Sequence, residues 1–193
     1  MRKKISERPS VEELETELKR VRYRNRYQSV LRSTVYTLIT VAAVAVLVAT
    51  LWLPVLQIYG SSMTPTLQDG EIVFSVKTSD LRSGDIVAFY YNNKILIKRV
   101  IATSGQWVNI LEDGTVYVNE VELEEPYLVE KAFGDADIEL PYQVPDGKVF
   151  VMGDHRATSA DSRHTVVGCV TPEQIVGRIV FRIWPLESAG VVG

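Results

Sequence analysis

No charged residue occurs between Arg32 and Asp69, and Thr34 to Leu53 within that run (TVYTLITVAAVAVLVATLWL) is almost entirely aliphatic or small. As a helix rising about 1.5 Å per residue, those positions span roughly the 30 Å hydrocarbon core of a bilayer. A helix apolar on every face can also be the core of a large protein, but about 140 remaining residues do not supply so large a surround. A cleaved signal peptide is the other alternative; the segment exceeds an h-region of roughly 7–15 residues and lies far from Met1. The expectation is a single uncleaved spanning helix, with Trp52 as interfacial anchor and Pro54 as its stop.

Charge gives that helix a direction. The chain has 193 residues with 21 Lys+Arg against 24 Asp+Glu, a net charge of −3. Residues 1–32 hold ten basic side chains against five Glu, which leaves 11 basic against 19 acidic beyond them, so +5 faces −8. Lys19, Arg20, Arg22, Arg24, Arg26 and Arg32 precede the span with no acid after Glu17, whereas Asp69 and Glu71 are the first charges after it. The positive-inside rule places the N-terminus in the cytoplasm and residues 56–193 outside. The expected divisions are a basic cytoplasmic helical segment over 1–32, a transmembrane helix over 33–55 and an extracytoplasmic β-rich domain over 56–193. Within the first, Ser10 is a candidate N-cap, Glu12 and Glu13 suit a first turn, and Val11, Leu14, Leu18 and Val21 recur at helical spacing. One cysteine, Cys169, excludes an internal disulfide, and with only His155 and His164 beside it no Cys/His zinc site is expected. An acidic main domain gives nucleic-acid binding no support.

After the span the pattern changes to short runs rich in Val, Ile, Tyr and Phe at 71–76, 85–91, 94–102, 107–111, 115–119, 149–153 and 178–184. Gly, Asp, Asn and Pro separate them, as in Gln68-Asp69-Gly70, Arg82-Ser83-Gly84-Asp85, Tyr91-Asn92-Asn93-Lys94 and Glu112-Asp113-Gly114. Many short strands joined by tight turns predict a mostly β, antiparallel domain, sandwich or barrel-like, anchored by one N-terminal transmembrane helix.

Three stretches can carry chemistry. Tyr59 to Leu67 (YGSSMTPTL) presents serines on a tight backbone, and alone it reads equally as a linker leaving the bilayer. A serine nucleophile needs a base, and His155 or His164, flanking Asp161, would supply a Ser-His-Asp arrangement. Lys98 competes with them. It interrupts an apolar strand with Leu96 and Val100 on its own face, and desolvation there would produce the neutral amine a base requires. A strand lysine is also a common device for blunting a sheet edge. The third stretch, Gly153 to Arg163 (GDHRATSADSR), alternates carboxylates, hydroxyls and guanidinium groups that can knit a polar loop.

GSSMTPTL after an apolar helix, then LRSGDIVAF, ILIKRVIA, MGDHRATSADSR and VGRIVFRIWPL stand in an order that resembles the bacterial type I signal peptidases. The resemblance implies a membrane-anchored serine endopeptidase that removes signal peptides from secreted preproteins, with neither metal nor cofactor. Carried over by motif, Ser62 and not Ser61 matches the nucleophile and Lys98 the general base. Ser159 matches the hydroxyl that orients the lysine amine, and Asp161 with Arg163 the supporting ion pair. Leu56, Ile58, Leu96 and Ile97 match the walls of shallow pockets that take the small residues at the first and third positions before the cut. Two departures stand out. Gly60 occupies the place where some members carry a serine that donates to the oxyanion, and His155 with Ala157-Thr158 replaces the more usual Asn and Asp-Asn.

Two other readings fit fewer of these features. A self-cleaving repressor-type protease shares Ser/Lys chemistry but lacks the spanning helix, and a non-catalytic membrane-anchored binding domain leaves Ser62 and Lys98 incidental. Signal-peptide-bearing preproteins and the lipid bilayer are the expected partners.

Overall fold

The computed structural model describes residues 11–52 and 54–192, so the Ser10 cap and Leu53 lie outside the described residues. The chain divides into two compact units, the break falling after Val48. A single helix, α1 (Val11–Trp52), opens on Glu12 and Glu13, whose carboxylates suit the positive end of the helix dipole. It is the one helix among the described residues long and apolar enough to cross a membrane, with a mean hydropathy of 1.9 over 18 residues. Thr34, Thr37 and Thr40 return their hydroxyls to the carbonyls of Val30, Ser33 and Tyr36 at 3.0, 2.9 and 2.9 Å, so these three donors are satisfied within the helix. Val35, Leu38, Val41, Val46 and Leu47 are all exposed, an apolar surface larger than a water-soluble helix ordinarily shows.

The second unit is built of eleven antiparallel strands. They are β1 (Val55–Gln57), β2 (Ile72–Val76), β3 (Ile86–Tyr91), β4 (Lys94–Ala102), β5 (Trp107–Ile110), β6 (Val116–Val118), β7 (Val121–Glu122), β8 (Tyr142–Gln143), β9 (Phe150–Met152), β10 (Ile175–Trp184) and β11 (Gly190–Val191). One sheet runs β1-β2-β10-β3-β4-β9 with β11 on β10, and a smaller sheet runs β7-β6-β5-β8. The fold is therefore mostly β with one N-terminal apolar helix, as the alternation of apolar residues predicts.

The seven runs chosen for β-branched and aromatic content all form strands within a few residues of the expected limits. β1, β7, β8 and β11 were not expected. Three of these have two residues, too few for alternation to register. β1 lies inside the uncharged run, and Val55, expected at the end of the spanning segment, pairs with Phe74 of β2.

The β3–β4 hairpin turns through Asn92-Asn93, and Asn92 at φ 52° supplies the left-handed residue that a two-residue hairpin turn needs. The hairpin sets Lys98 opposite Val87 and Arg99 opposite Ile86, while β9 pairs Met152 with Arg99 on the other side. β9 pairs β4 only from Arg99 to Ala102, so residues 94–98 keep one open edge, but Lys98 is almost fully buried and does not serve to blunt that edge.

Three apolar clusters hold this arrangement. Ile101, Val108, Ile110, Val116, Phe150 and Met152 join the two sheets. Ile58, Met63, Leu67, Val73, Ile86 and Ile179 bind the segment after β1 to the large sheet. Val87, Phe89, Val100 and Val151 fill a third cluster, with Leu96 against it. Leu96 and Val100 thus share a side of β4. Phe150 is fully buried and its ring lies 5.8 Å from that of Tyr142, across the junction of the two sheets. Phe150→Ala should lower unfolding stability by about 3–5 kcal/mol in urea titration, because the cavity sits where both sheets must close.

Candidate active site

Ser62 lies in the turn that follows β1, and the turn is anchored at both ends. Met63 and Leu67 are buried in the core, and the Gly60 N–H donates to Asp69 Oδ1 at 2.7 Å. Gly60 has φ +86°, a left-handed conformation that favours glycine. Ser61 faces away from the site; its carbonyl accepts from the Thr64 N–H at 3.1 Å and the Thr64 hydroxyl at 2.8 Å. Ser62 instead places Oγ 2.6 Å from Lys98 Nζ.

Lys98 is only 3% exposed. Burial pulls its ammonium from the ordinary 10.5 down to about 8, with Arg163 adding to the lowering while Asp161 and Asp154 oppose it. A buried amine on a lowered pKa, hydrogen-bonded to a serine hydroxyl, has the components of a nucleophile and its base.

The loop after β9 surrounds this pair. The Asp161 carboxylate accepts from the Gly153 N–H at 3.0 Å and from both Nε and Nη2 of Arg163 at 2.9 Å. Burial would raise the Asp161 carboxyl, but the hydrogen bonds and charge of Arg163 outweigh it and hold the group below the usual carboxylate range. Arg163 continues to the carbonyls of Phe133 at 2.6 Å and Arg156 at 2.9 Å. Ser159 is 3% exposed, its side chain packed against Gly153 and its hydroxyl turned to the Asp161 carboxylate.

The histidines take other positions. His155 approaches Ser62 through its backbone, the N–H donating to the Ser62 carbonyl at 3.0 Å. Its exposed ring instead meets Thr158 Oγ1 through Nδ1 at 2.8 Å. His164 is tied by its own N–H to the Asp161 carbonyl at 3.0 Å.

An open groove of about 650 Å³ runs along the pair, and Leu56, Ile58, Leu96 and Ile97 all line it together with Ser62 and Lys98. β1 and β4 are separated by three strands in the large sheet yet wall the same groove, so the sheet must coil strongly. Ile58, at 3% exposure, is mainly a core residue, while Leu56, Leu96 and Ile97 are half-buried.

Two features of the site were not singled out by sequence. Arg99 forks onto Asp154 at 2.9 and 2.7 Å, and Asp154 also accepts the Thr66 hydroxyl at 2.5 Å, tying β4 to the turn that carries Ser62. The pairing signal was present, since an Arg beside Lys98 and an Asp beside Gly153 both fall in runs too apolar or too tight to leave a charge unpaired. The second is Gly153. A Cβ there would stand 2.6 Å from the Ser62 carbonyl oxygen and against the Ser159 side chain, so only glycine allows the two loops to meet. Gly153→Ala should therefore cut turnover by more than tenfold, and destabilise by about 1–3 kcal/mol, in assays of peptide cleavage and thermal unfolding.

Comparison with known proteins shows a family. Residues 31–184 match the family model described as "Signal peptidase, peptidase S26". The chain is 38% identical over 151 residues to Signal peptidase IB of Staphylococcus aureus, covering 68% of this chain and 78% of that protein. It is 37% identical over 142 residues to Thylakoidal processing peptidase 1, chloroplastic, of Arabidopsis thaliana, covering 65% of this chain and 40% of that protein. A solved signal peptidase I from Enterococcus faecalis V583 matches at 30% identity with a TM-score of 0.45, covering 51% of this chain and 96% of that one.

Proposed function

The chain belongs to the type I signal peptidases, peptidase family S26, whose work is the cleavage of signal peptides from preproteins, and from that premise we propose that it does so with Ser62 as nucleophile and Lys98 as general base. The observation that carries this reading is the 2.6 Å contact between Lys98 Nζ and Ser62 Oγ at a lysine that is almost fully buried. Family membership speaks against the self-cleaving repressor and the non-catalytic alternatives.

In its neutral form the Lys98 amine accepts the Ser62 proton as Oγ attacks the scissile carbonyl. The same nitrogen then protonates the departing amine and later activates the water that frees the acyl group. Among the described residues the Ser62 N–H has no hydrogen-bond acceptor and is available to the oxyanion; the Gly60 N–H is already committed to Asp69. Ser159 is assigned the role of orienting the amine during turnover, and the Asp161–Arg163 pair fixes the loop that carries it. The preprotein lies extended in the groove as added β-structure, with Leu56, Leu96 and Ile97 shaping its shallow pockets over Ile58.

The apolar part of α1 anchors the enzyme, the basic residues before it keep the N-terminus in the cytoplasm, and the β domain works on the outer side. Enzyme and substrate then share a membrane, which raises their effective concentration without any new contact.

Ser62→Ala and Lys98→Ala should each reduce preprotein cleavage by at least about 10⁴-fold, whereas His155→Ala and His164→Ala retain most of it. Wild-type kcat/KM should rise about tenfold per pH unit below about 8 and level off above it, because only the neutral amine is a base. Full activity in Lys98→Ala, or a profile set by a group titrating near about 6.5, would overturn the dyad.

A further inference from the structure

Residues 123–141, between β7 and β8, contain no helix or strand, yet they reach all three buried arginines around the dyad. Glu125 sends both carboxylate oxygens to Arg156, one of them to Nη1 at 3.1 Å, and the side chains of both are fully buried. Tyr127 lays its ring over the Arg99 guanidinium, 3.8 Å from Cζ to the ring centre, and donates its hydroxyl to Glu125 at 2.9 Å. The Phe133 carbonyl accepts from Arg163 at 2.6 Å. Arg99 and Arg163 have their carboxylates, Asp154 and Asp161, in the loop after β9, while the partner of Arg156 is brought in by this separate segment.

From these contacts we propose that residues 123–141 form a strap whose Glu125 and Tyr127 are positioning residues for the dyad, acting through Arg156 and Arg99. The proposal rests on the Ser62/Lys98 reading above.

The route is short on both sides. Arg156 donates from Nε to the Gly153 carbonyl at 3.1 Å and accepts at its own carbonyl from Arg163 at 2.9 Å, so Glu125 steadies the glycine against which Ser62 and Ser159 are seated. Tyr127 covers the guanidinium that forks onto Asp154, whose carboxylate also receives the Thr66 hydroxyl from the nucleophile's turn. A ring over the face of a guanidinium attracts it and shields it from water while leaving its N–H edge free for the carboxylate.

The charged groups that face the Lys98 amine are Asp161, Arg163 and Asp154. If Arg99 loosens, Asp154 loses part of its neutralisation and water gains access. Both changes favour the charged amine, so the alkaline midpoint of activity moves upward.

The test uses the full-length enzyme in detergent, a signal-peptide-bearing substrate, and kcat counted per site titrated with a serine-directed acylating probe. Tyr127→Leu should lose at least tenfold in kcat with KM little changed and shift the pH midpoint of kcat upward, while Tyr127→Phe, which keeps the ring over Arg99, retains the larger part of kcat and the wild-type midpoint. Glu125→Gln, close to the native volume, should lower kcat in the same way and stands in for Tyr127→Leu if that variant does not fold. A kcat and midpoint like wild type in Tyr127→Leu and Glu125→Gln would overturn the proposal, as would a fall in kcat with no movement of the midpoint, the mark of a merely structural strap. Lys98→Ala is assayed alongside. Activity in that variant overturns the dyad and the strap together, whereas an inactive Lys98→Ala beside an unaffected Tyr127→Leu overturns the strap alone.

Discussion

Keeping one lysine amine out of water beside one serine hydroxyl is the constraint on which the rest of the β domain depends. Lowering the Lys98 pKa from 10.5 to about 8 means that the fold disfavours its charged form by about 3 kcal/mol. Below about 8 the amine is protonated in folded and unfolded chains alike, and the fold bears the whole of that cost. The cost fades as pH rises from about 8 toward 10.5, so this group makes the protein more stable at the alkaline end. A domain tolerates such a residue only if its neighbours cannot relax around it. β4 meets that need because β3 pairs it through Lys98, β9 takes over its other side from Arg99 onward, and apolar clusters pack against it.

The second demand is to hold polar partners in place without water. Arg99, Arg156 and Arg163 are buried, each forked onto a buried carboxylate, and between them they connect β4, the loop after β9, the nucleophile's turn and residues 123–141. Buried ion pairs of this kind add little net stability, since desolvation takes back most of the attraction, but removing one partner is strongly unfavourable. Their value here is geometric. Each guanidinium fork admits few arrangements, so four separate chain segments converge on one placement of Ser62, Lys98 and Ser159.

The legibility of this protein in its sequence follows the strength of local pattern. Runs of β-branched and aromatic residues bounded by turn residues marked β2, β3, β4 and β10, and the apolar run marked α1, because burial imposes composition on long elements. β7, β8 and β11 left no such trace, and β1 was hidden in the uncharged run whose first part belongs to the helix. The pairing of Ser62 with Lys98 across 36 positions was legible only through the order of motifs, since composition left His155 and His164 equally eligible. Glu125 and Tyr127 escaped notice because EVELEEPYLVE reads as a solvated acidic loop. Nothing local separates the one glutamate with a buried arginine from its exposed neighbours. Gly153 escaped for a related reason: a glycine needed for close approach looks like any turn glycine until the opposing backbone is in view.

The uncharged run from Ser33 to Gln68 thus serves two environments in sequence, an apolar helix and then a tight turn whose serine faces a buried amine. The account turns on the state of that amine, and the most direct test is its titration, followed by NMR of ¹⁵N-labelled lysine side chains in the full-length protein, with Lys98→Met identifying the signal. A midpoint near 8 is the result expected of a buried base poised to take a proton from Ser62. A midpoint near the ordinary 10.5 would mean that Lys98 stays charged through the working range and would contradict its role as the base.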